Sequence, residues 1–97
     1  MERNINKIAI YGLGEVGKYL LQDLKDTDVE ILCIVDKNYS RYGGSFNGIK
    51  VIGPHEVKAY DVDYIVITLP HFYNNVLEIL MAQEVDLERI VSLESIL

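Results

Sequence analysis

The sequence of 97 residues lacks most of the features that mark secreted, metal-binding and membrane-spanning proteins. Its only cysteine, Cys33, cannot form a disulfide within the chain and lies in an apolar run, so we expect a buried, inert thiol in a reducing compartment. No apolar run approaches the ~20 residues of a membrane-spanning helix, and the N-terminus lacks the apolar core of a signal peptide. No set of histidine, cysteine and acidic residues has metal-ligand spacing. These absences predict a cytoplasmic protein with no metal centre.

Basic residues are also few. Nine lysines and arginines are scattered among fifteen acidic residues, which gives a net charge of −6. A protein that binds the nucleic-acid backbone needs a basic face, and an anionic membrane surface attracts the same kind of patch. The charge therefore argues against nucleic acid and membrane as partners. The hydrophobic fraction of 49% is ordinary for a globular protein, and a short chain builds one core, so we expect a single domain over residues 1–97.

Strand-like and helix-like segments alternate along the chain. Apolar runs predict strands within residues 7–11, 30–35, 48–53, 63–68 and 86–91. Apolar residues recur at helical spacing over 16–24, and Pro54 and Pro70 each stand where a helix can begin. The glycine-rich stretch 37–44 predicts a loop, and 93–97 predicts a final turn. The alternation predicts an α/β fold: a Rossmann-like parallel sheet of about five strands, in the order 3-2-1-4-5, with helices on both faces.

The segment Gly12-Leu13-Gly14-Glu15-Val16-Gly17 matches the pattern G-x-G-x-x-G between the first strand and the first helix. In this context Gly12 permits a tight turn, Gly14 lets a pyrophosphate approach the backbone, and Gly17 lets the helix pack closely. The N–H groups and the dipole at the start of the helix favour phosphate. The motif predicts a dinucleotide site formed by these six residues, with the Glu15 carboxylate pointing to solvent.

Asp36 ends the second predicted strand, 19 residues after Gly17, where an acidic residue can accept hydrogen bonds from the ribose 2′- and 3′-hydroxyls. Its carboxylate would repel a 2′-phosphate, so NAD is favoured over NADP. Lys37 is a further candidate contact, because its charge could weaken that preference; a solvated lysine is the alternative. For the whole motif the alternative is structural: the glycines form only a tight turn, and Asp36 only caps a loop.

Further candidates follow the fourth predicted strand. Ligands of open parallel sheets bind beyond the carboxyl ends of the strands, where Thr68, Pro70 and His71 stand. Thr68 and Pro70 are expected to contact the cofactor, and His71 is the candidate catalytic residue, although no acid–base partner for it is visible in the sequence. On the loop after the second strand, Tyr39 and Tyr42 could flank an adenine base or be ordinary loop aromatics.

Four segments of the chain together resemble a known family. They are Ile8–Gly17, Ile34–Asn38, Gly48–Gly53 and Tyr64–Ile67. They resemble the small Rossmann domain that begins nucleotide-sugar epimerase/dehydratases of bacterial polysaccharide biosynthesis. The excursion from Asp36 through Gly44, Gly48 and Val51 is the more particular part of the resemblance. The resemblance implies a cytoplasmic module of a sugar- or nucleotide-sugar-modifying protein, with NAD, another dinucleotide or a nucleotide-sugar as its ligand.

In that family a second, catalytic domain follows the Rossmann domain. The Tyr-x-x-x-Lys pair of short-chain dehydrogenases is absent, because no tyrosine here has a lysine four residues later. We therefore expect that the chain is not catalytic alone and works with a further domain or partner chain, or as a homodimer through the open edge of its last strand. Two alternatives stay open: a regulatory nucleotide-sensing domain, and a structural Rossmann-like domain that binds no nucleotide.

Overall fold

The computed structural model describes residues 6–69 and 73–92, which contain six strands and two α-helices. In chain order they are β1 Lys7–Tyr11, α1 Glu15–Leu24, β2 Glu30–Val35, β3 Ser45–Phe46, β4 Ile49–Ile52, β5 Tyr64–Ile67, α2 Tyr73–Ala82 and β6 Ile90–Ser92. Short 3₁₀ helices span Tyr39–Tyr42, Pro54–Ala59 and Leu87–Arg89. The predictions for Pro70, His71 and the turn at 93–97 lie outside the described residues.

The strands form one sheet in the order β3-β4-β2-β1-β5-β6. All neighbouring pairs are parallel except β3 with β4. The five parallel strands follow the predicted order 3-2-1-4-5, so the predicted α/β, Rossmann-like class is confirmed. At the centre of the sheet, Ile10 of β1 lies opposite Ile34 of β2 on one side and Val66 of β5 on the other. The carboxyl ends of the parallel strands therefore share one edge of the sheet.

Strand β3 was not predicted. Its two residues pair antiparallel with the start of β4 through a turn at Asn47 and Gly48, whose φ angles are 51° and 81°. Positive φ at both central residues belongs to the tight turn that suits a β-hairpin, and Asn-Gly is the sequence that adopts it most readily. With only two residues, β3 is too short to give a detectable alternation of apolar and polar residues, so the turn carried the only signal for it.

The last predicted strand begins later than its apolar pattern suggested. Residues 87–89 form a one-turn helix instead, because the Asp86 carboxylate accepts a hydrogen bond from the Glu88 N–H at 3.0 Å. The Arg89 guanidinium donates to the carbonyl oxygen of Val62 at 3.0 Å and holds this turn against the loop that precedes β5. Regular pairing with β5 starts only at Ile90.

Helices cover both faces of the sheet, as predicted. Ala9 and Tyr11 of β1 pack into the apolar layer that contains α2, whereas Ile8 and Ile10 pack into the layer that contains α1. This explains the continuous apolar character of the central strands, since a parallel strand covered on both faces has no polar side. None of the helices in the described ranges is long and apolar enough to cross a membrane.

Cys33 belongs to the layer beneath α2 and is fully buried. Burial raises the pKa of its thiol to about 11, because the thiolate would lose its hydration. The expected burial of this cysteine is confirmed, and a raised pKa leaves little reactive thiolate at neutral pH.

Candidate functional site

The predicted site residues that the structure describes gather at the carboxyl edge of the sheet. The glycine loop follows β1, Asp36 follows β2, Gly53 follows β4 and Thr68 follows β5. The loop lies at the centre of this edge because β1 is the central strand of the five parallel ones. Strands are added to the sheet on one side of β1, beginning with β2, and then on its other side, beginning with β5. Such a switch point in strand order is where open α/β sheets bind ligands.

The three glycines of the loop have different surroundings. Gly12 has a φ of 109°, and a Cβ there would lie 2.7 Å from Leu69 Cγ and 2.8 Å from Thr68 Oγ1. A Cβ on Gly17 would overlap the carbonyl oxygen of Gly12. A Cβ on Gly14 would meet nothing within 4 Å. Gly12 and Gly17 are therefore needed for turn and packing, whereas Gly14 faces open space.

Gly14 also stands where α1 begins. Its backbone is extended, with φ −89° and ψ −165°, and its carbonyl oxygen accepts a hydrogen bond from the Lys18 N–H at 3.0 Å. The first N–H groups of the helix have no partner one turn earlier, and they carry the positive end of the helix dipole. Glu15 is exposed in this first turn, as expected of an acid that complements the dipole.

The Asp36 carboxylate binds the backbone on two sides. Its Oδ2 accepts a hydrogen bond from the Leu13 N–H at 2.8 Å, and its Oδ1 accepts one from the Asn38 N–H at 2.7 Å. The sequence indicated that Asp36 lies near the glycine loop, but it did not indicate this direct bond across the strand ends. A carboxylate has about four acceptor positions, so each oxygen keeps one for another donor.

Leu13 is held from its other side as well. Its side chain is buried, and its carbonyl oxygen accepts a long hydrogen bond of 3.4 Å from the Tyr42 hydroxyl. The Tyr42 ring contacts Phe46 edge to face, with 6.3 Å between centroids. The middle of the glycine loop is thus fixed by Asp36 at its N–H, by Tyr42 at its carbonyl and by the core at its side chain.

Thr68 supports the same loop from below. Its hydroxyl is buried and lies 3.0 Å from the carbonyl oxygen of Tyr11 and 2.9 Å from that of Gly12, so it donates to this pair. In this position it determines where β1 ends and the turn begins. The prediction that Thr68 contacts a cofactor stays a prediction. Burial, and next to it the Asp36 charge, raise the pKa of Tyr11 at the same strand end.

The chain resembles known proteins both in sequence and in fold. The model of the family described as C2185-like, N-terminal matches residues 4–91. The chain belongs to the C2185-like N-terminal family. The crystal structure of UDP-D-quinovosamine 4-dehydrogenase from Vibrio fischeri superimposes with a TM-score of 0.71 at 17% identity, over 96% of this chain and 84% of that chain. The two matches support the resemblance inferred from the sequence, and the second establishes the shared fold. The comparison with curated proteins finds no match.

Two further candidates of this C2185-like domain follow β2. Lys37 is exposed beside Asp36. The Tyr39 ring contacts His55 edge to face, with 5.7 Å between centroids, close to Gly53 after the end of β4. Sequence reasoning missed this contact, because it joins two short 3₁₀ helices that are separated in the chain. Pro70 and His71 lie outside the described residues.

Proposed function

We propose that the chain binds NAD, or a related adenine dinucleotide, at its glycine loop, as a module of a protein that modifies sugars or nucleotide-sugars. The observation that carries the proposal is the open space at Gly14. A loop that served only as a strand–helix turn would need glycine at Gly12 and Gly17, where side chains do not fit. It would not need glycine at a position that is extended and uncrowded. A ligand that approaches the backbone there supplies the missing reason.

The residues present fit such a ligand. The N–H groups at the start of α1 would hold the phosphates, with no side chain at Gly14 to exclude them. The free acceptor positions of Asp36 would receive the ribose hydroxyls, and its two backbone bonds already orient the carboxylate. NAD would supply a hydride acceptor when bound, and the groups that orient a substrate would come from another domain or chain.

Asp36 also favours NAD over NADP within this proposal. Its charge lies at the ribose end of the site, and a 2′-phosphate would place two negative groups together. Lys37 is exposed, so a solvated side chain there would screen this repulsion only weakly. The proposed sugar chemistry is supported by the resemblance and by the similar Vibrio fischeri enzyme, whose name describes a nucleotide-sugar dehydrogenase.

One observation favours the structural alternative. Both Asp36 oxygens accept backbone N–H groups, so the carboxylate has a role in holding the loop without any ligand. An acidic residue at this position is therefore explained in part by the fold. Gly14 has no such explanation, and its substitution distinguishes the two alternatives.

The test is a thermal-shift and calorimetric titration with NAD, NADH, NADP, AMP, UDP-sugars and coenzyme A. A ligand at 100 times its Kd stabilises the folded state by about 2.7 kcal/mol. We expect NAD to stabilise the chain and Gly14→Val to abolish this while the protein still folds. Ser45→Val, an exposed change on β3 away from the loop, is the control. No stabilisation of the wild type by any adenine dinucleotide would favour the structural domain.

The proposed ribose contact is tested by the ratio of the NAD and NADP affinities rather than by either affinity alone. Asp36→Ala removes the bond to Leu13 and disturbs the loop, which weakens NAD and NADP alike. Removal of the charge acts on the ratio of the two affinities, because NAD and NADP share the 3′-hydroxyl and differ only at the 2′-position. Hydrogen bonds to a charged group contribute about 1.5–3 kcal/mol, so the preference for NAD should fall by roughly tenfold or more. An unchanged ratio would contradict the ribose contact even if both affinities fell.

A further inference from the structure

A second concave surface lies on the face of the sheet that α1 covers. It is a groove of about 560 Å³ between α1, the amino ends of β2 and β4, and the β3–β4 turn. Its floor is apolar, with Leu21, Val29, Ile31 and Ile49 among the residues that form it. Lysines on α1 form one wall. We call this surface the lysine groove.

The groove exists because the connection between β2 and β4 contains no α-helix. Parallel strands are normally covered by helices on both faces, and each crossover usually supplies one. Here residues 36–48 form the 3₁₀ helix Tyr39–Tyr42 and strand β3 instead. Tyr42 and Phe46 cover part of the face, but Ile31 and Ile49 stay partly exposed. A helix-sized place beside α1 is left without a helix.

The charges at the groove have one sign. Lys18 and Lys25 are the charged residues among the nine that line it, and the lining includes no acid although the whole chain carries −6. The Lys18 ammonium lies 5.5 Å from the centre of the Phe46 ring, which holds it over one end. Lys25 caps the C-terminus of the same helix seven residues later, about 10.5 Å along its axis at 1.5 Å per residue. Acidic residues seven apart on a second helix have the same spacing.

We propose that the lysine groove docks an acidic amphipathic α-helix of a partner polypeptide, with apolar side chains on the groove floor and carboxylates at Lys18 and Lys25. A helix fits better than an added strand, because a strand joins a sheet at its edge, whereas this groove lies on the face that α1 covers, and a helix satisfies its own backbone. Helices packed at about 20° keep two turns in register, which suits the lysine spacing.

Two other occupants fit the observations less well. A second copy of the chain offers α2 as its other α-helix in the described residues, and Tyr73–Ala82 contains only one acid, Glu78. An anionic membrane prefers a flat or protruding basic surface, whereas this one is concave and belongs to an acidic chain. Charge complementarity therefore selects an acidic helix.

The experiment uses a fluorescein-labelled helical peptide of about 14 residues, a typical helix length, with leucines on one face and glutamates seven residues apart beside them. A second peptide carries lysines in place of the glutamates. Anisotropy titrations compare the wild type with the double variant Lys18→Glu/Lys25→Glu. The control is Lys7→Glu/Lys50→Glu, which changes the net charge equally at two exposed lysines outside the groove.

We expect the acidic peptide to bind the wild type and the control alike, and the groove variant roughly tenfold more weakly, because exposed ion pairs contribute modestly and reversal makes them repulsive. Circular dichroism confirms that all variants fold. The proposal would be overturned by no binding of the acidic peptide, by equal binding of both peptides, or by equal binding of the acidic peptide to both double variants. Binding of the wild type to phosphatidylserine vesicles in preference to the peptide would also overturn it. A dimer in light scattering that dissociates in the groove variant would overturn it in favour of a second copy.

Discussion

The two connections that meet at the glycine loop are built in different ways. Residues 12–29 link β1 to β2 through α1, and the backbone bonds of a ten-residue helix hold most of that segment together. Residues 36–48 link β2 to β4 with one short 3₁₀ turn and a two-residue strand. Their position depends on side chains, namely Tyr42 at the Leu13 carbonyl and Tyr39 against His55.

This difference has two consequences for function. A connection without an α-helix covers less of the sheet, and it leaves the lysine groove beside α1. It also brings Asp36 and Tyr42 onto the glycine loop, so the second connection fixes the geometry of the first. The predictions below test how far the loop depends on its own glycines and how far on its neighbour.

The largest expected loss of stability comes from a side chain placed at Gly17 of the glycine loop, where none fits. Gly17→Val places a branched side chain against the Gly12 carbonyl and Thr68, in a buried helix position. We expect the free energy of unfolding to fall by about 3 kcal/mol, the upper end of the usual range for overpacking. Urea denaturation measures this. Gly14→Val is the matched control in the same loop, and a similar loss there would contradict the open space at Gly14.

The second prediction concerns the hydrogen bond from the Leu13 N–H to the Asp36 carboxylate, which joins the two connections and is tested without any ligand. In Asp36→Asn, one side of the amide must present its NH₂ group to a backbone N–H, either that of Leu13 or that of Asn38. The bond to Leu13 is part-buried and the bond to Asn38 is exposed, so water can satisfy the displaced Asn38 N–H. The unliganded protein should therefore lose about 1 kcal/mol, the lower end of the range for an unmet donor. Asp23→Asn, at an exposed position of α1, should change the free energy of unfolding little. Equal stability of the two variants would show that the Asp36 bonds do not hold the loop.

A smaller loss of stability is expected at Tyr42, the residue through which the second connection contacts the Leu13 carbonyl oxygen. Tyr42→Phe keeps the ring against Phe46 and removes only the long hydroxyl bond to Leu13. A bond of this length is weak, so the loss should be about 0.5 kcal/mol or less. Tyr42→Ala removes the edge-to-face contact as well and should cost more, about 1–2 kcal/mol. A Tyr42→Phe protein as unstable as Tyr42→Ala would assign the main role to the hydroxyl.

The smallest effect concerns Cys33 and appears only at high pH. The pKa of its thiol is about 11 in the folded chain and exceeds the ordinary thiol value of 9.0, so the unfolded chain loses the proton first as pH rises. The buried neutral thiol therefore stabilises the folded state fully below about pH 9, and this contribution declines as the pH approaches 11. Unfolding curves of Cys33→Ala and wild type at several pH values test the sign. A wild type that gained stability relative to Cys33→Ala above pH 9 would contradict it.

Much of the candidate site was predictable from the spacing of particular residues. Gly12, Gly14 and Gly17 stand between a strand and a helix, and Asp36 ends the next strand, so the topology brings them to one edge. The Asp36–Leu13 bond was not predictable, because it depends on the distance between two strand ends. The Tyr39–His55 contact was hidden for the same reason, since each residue alone is compatible with an exposed loop position.

The sequence by itself determined the alternation of strands and helices, the strand order and the position of the glycine loop. These follow from apolar runs, helical spacing and glycines, which act between residues close in the chain. Only the tertiary structure decided that Asp36 and Tyr42 hold Leu13, that Thr68 lies beneath the loop, and that the groove beside α1 has no helix over it. Those features depend on contacts between residues 23 to 57 positions apart, and no local pattern encodes such distances.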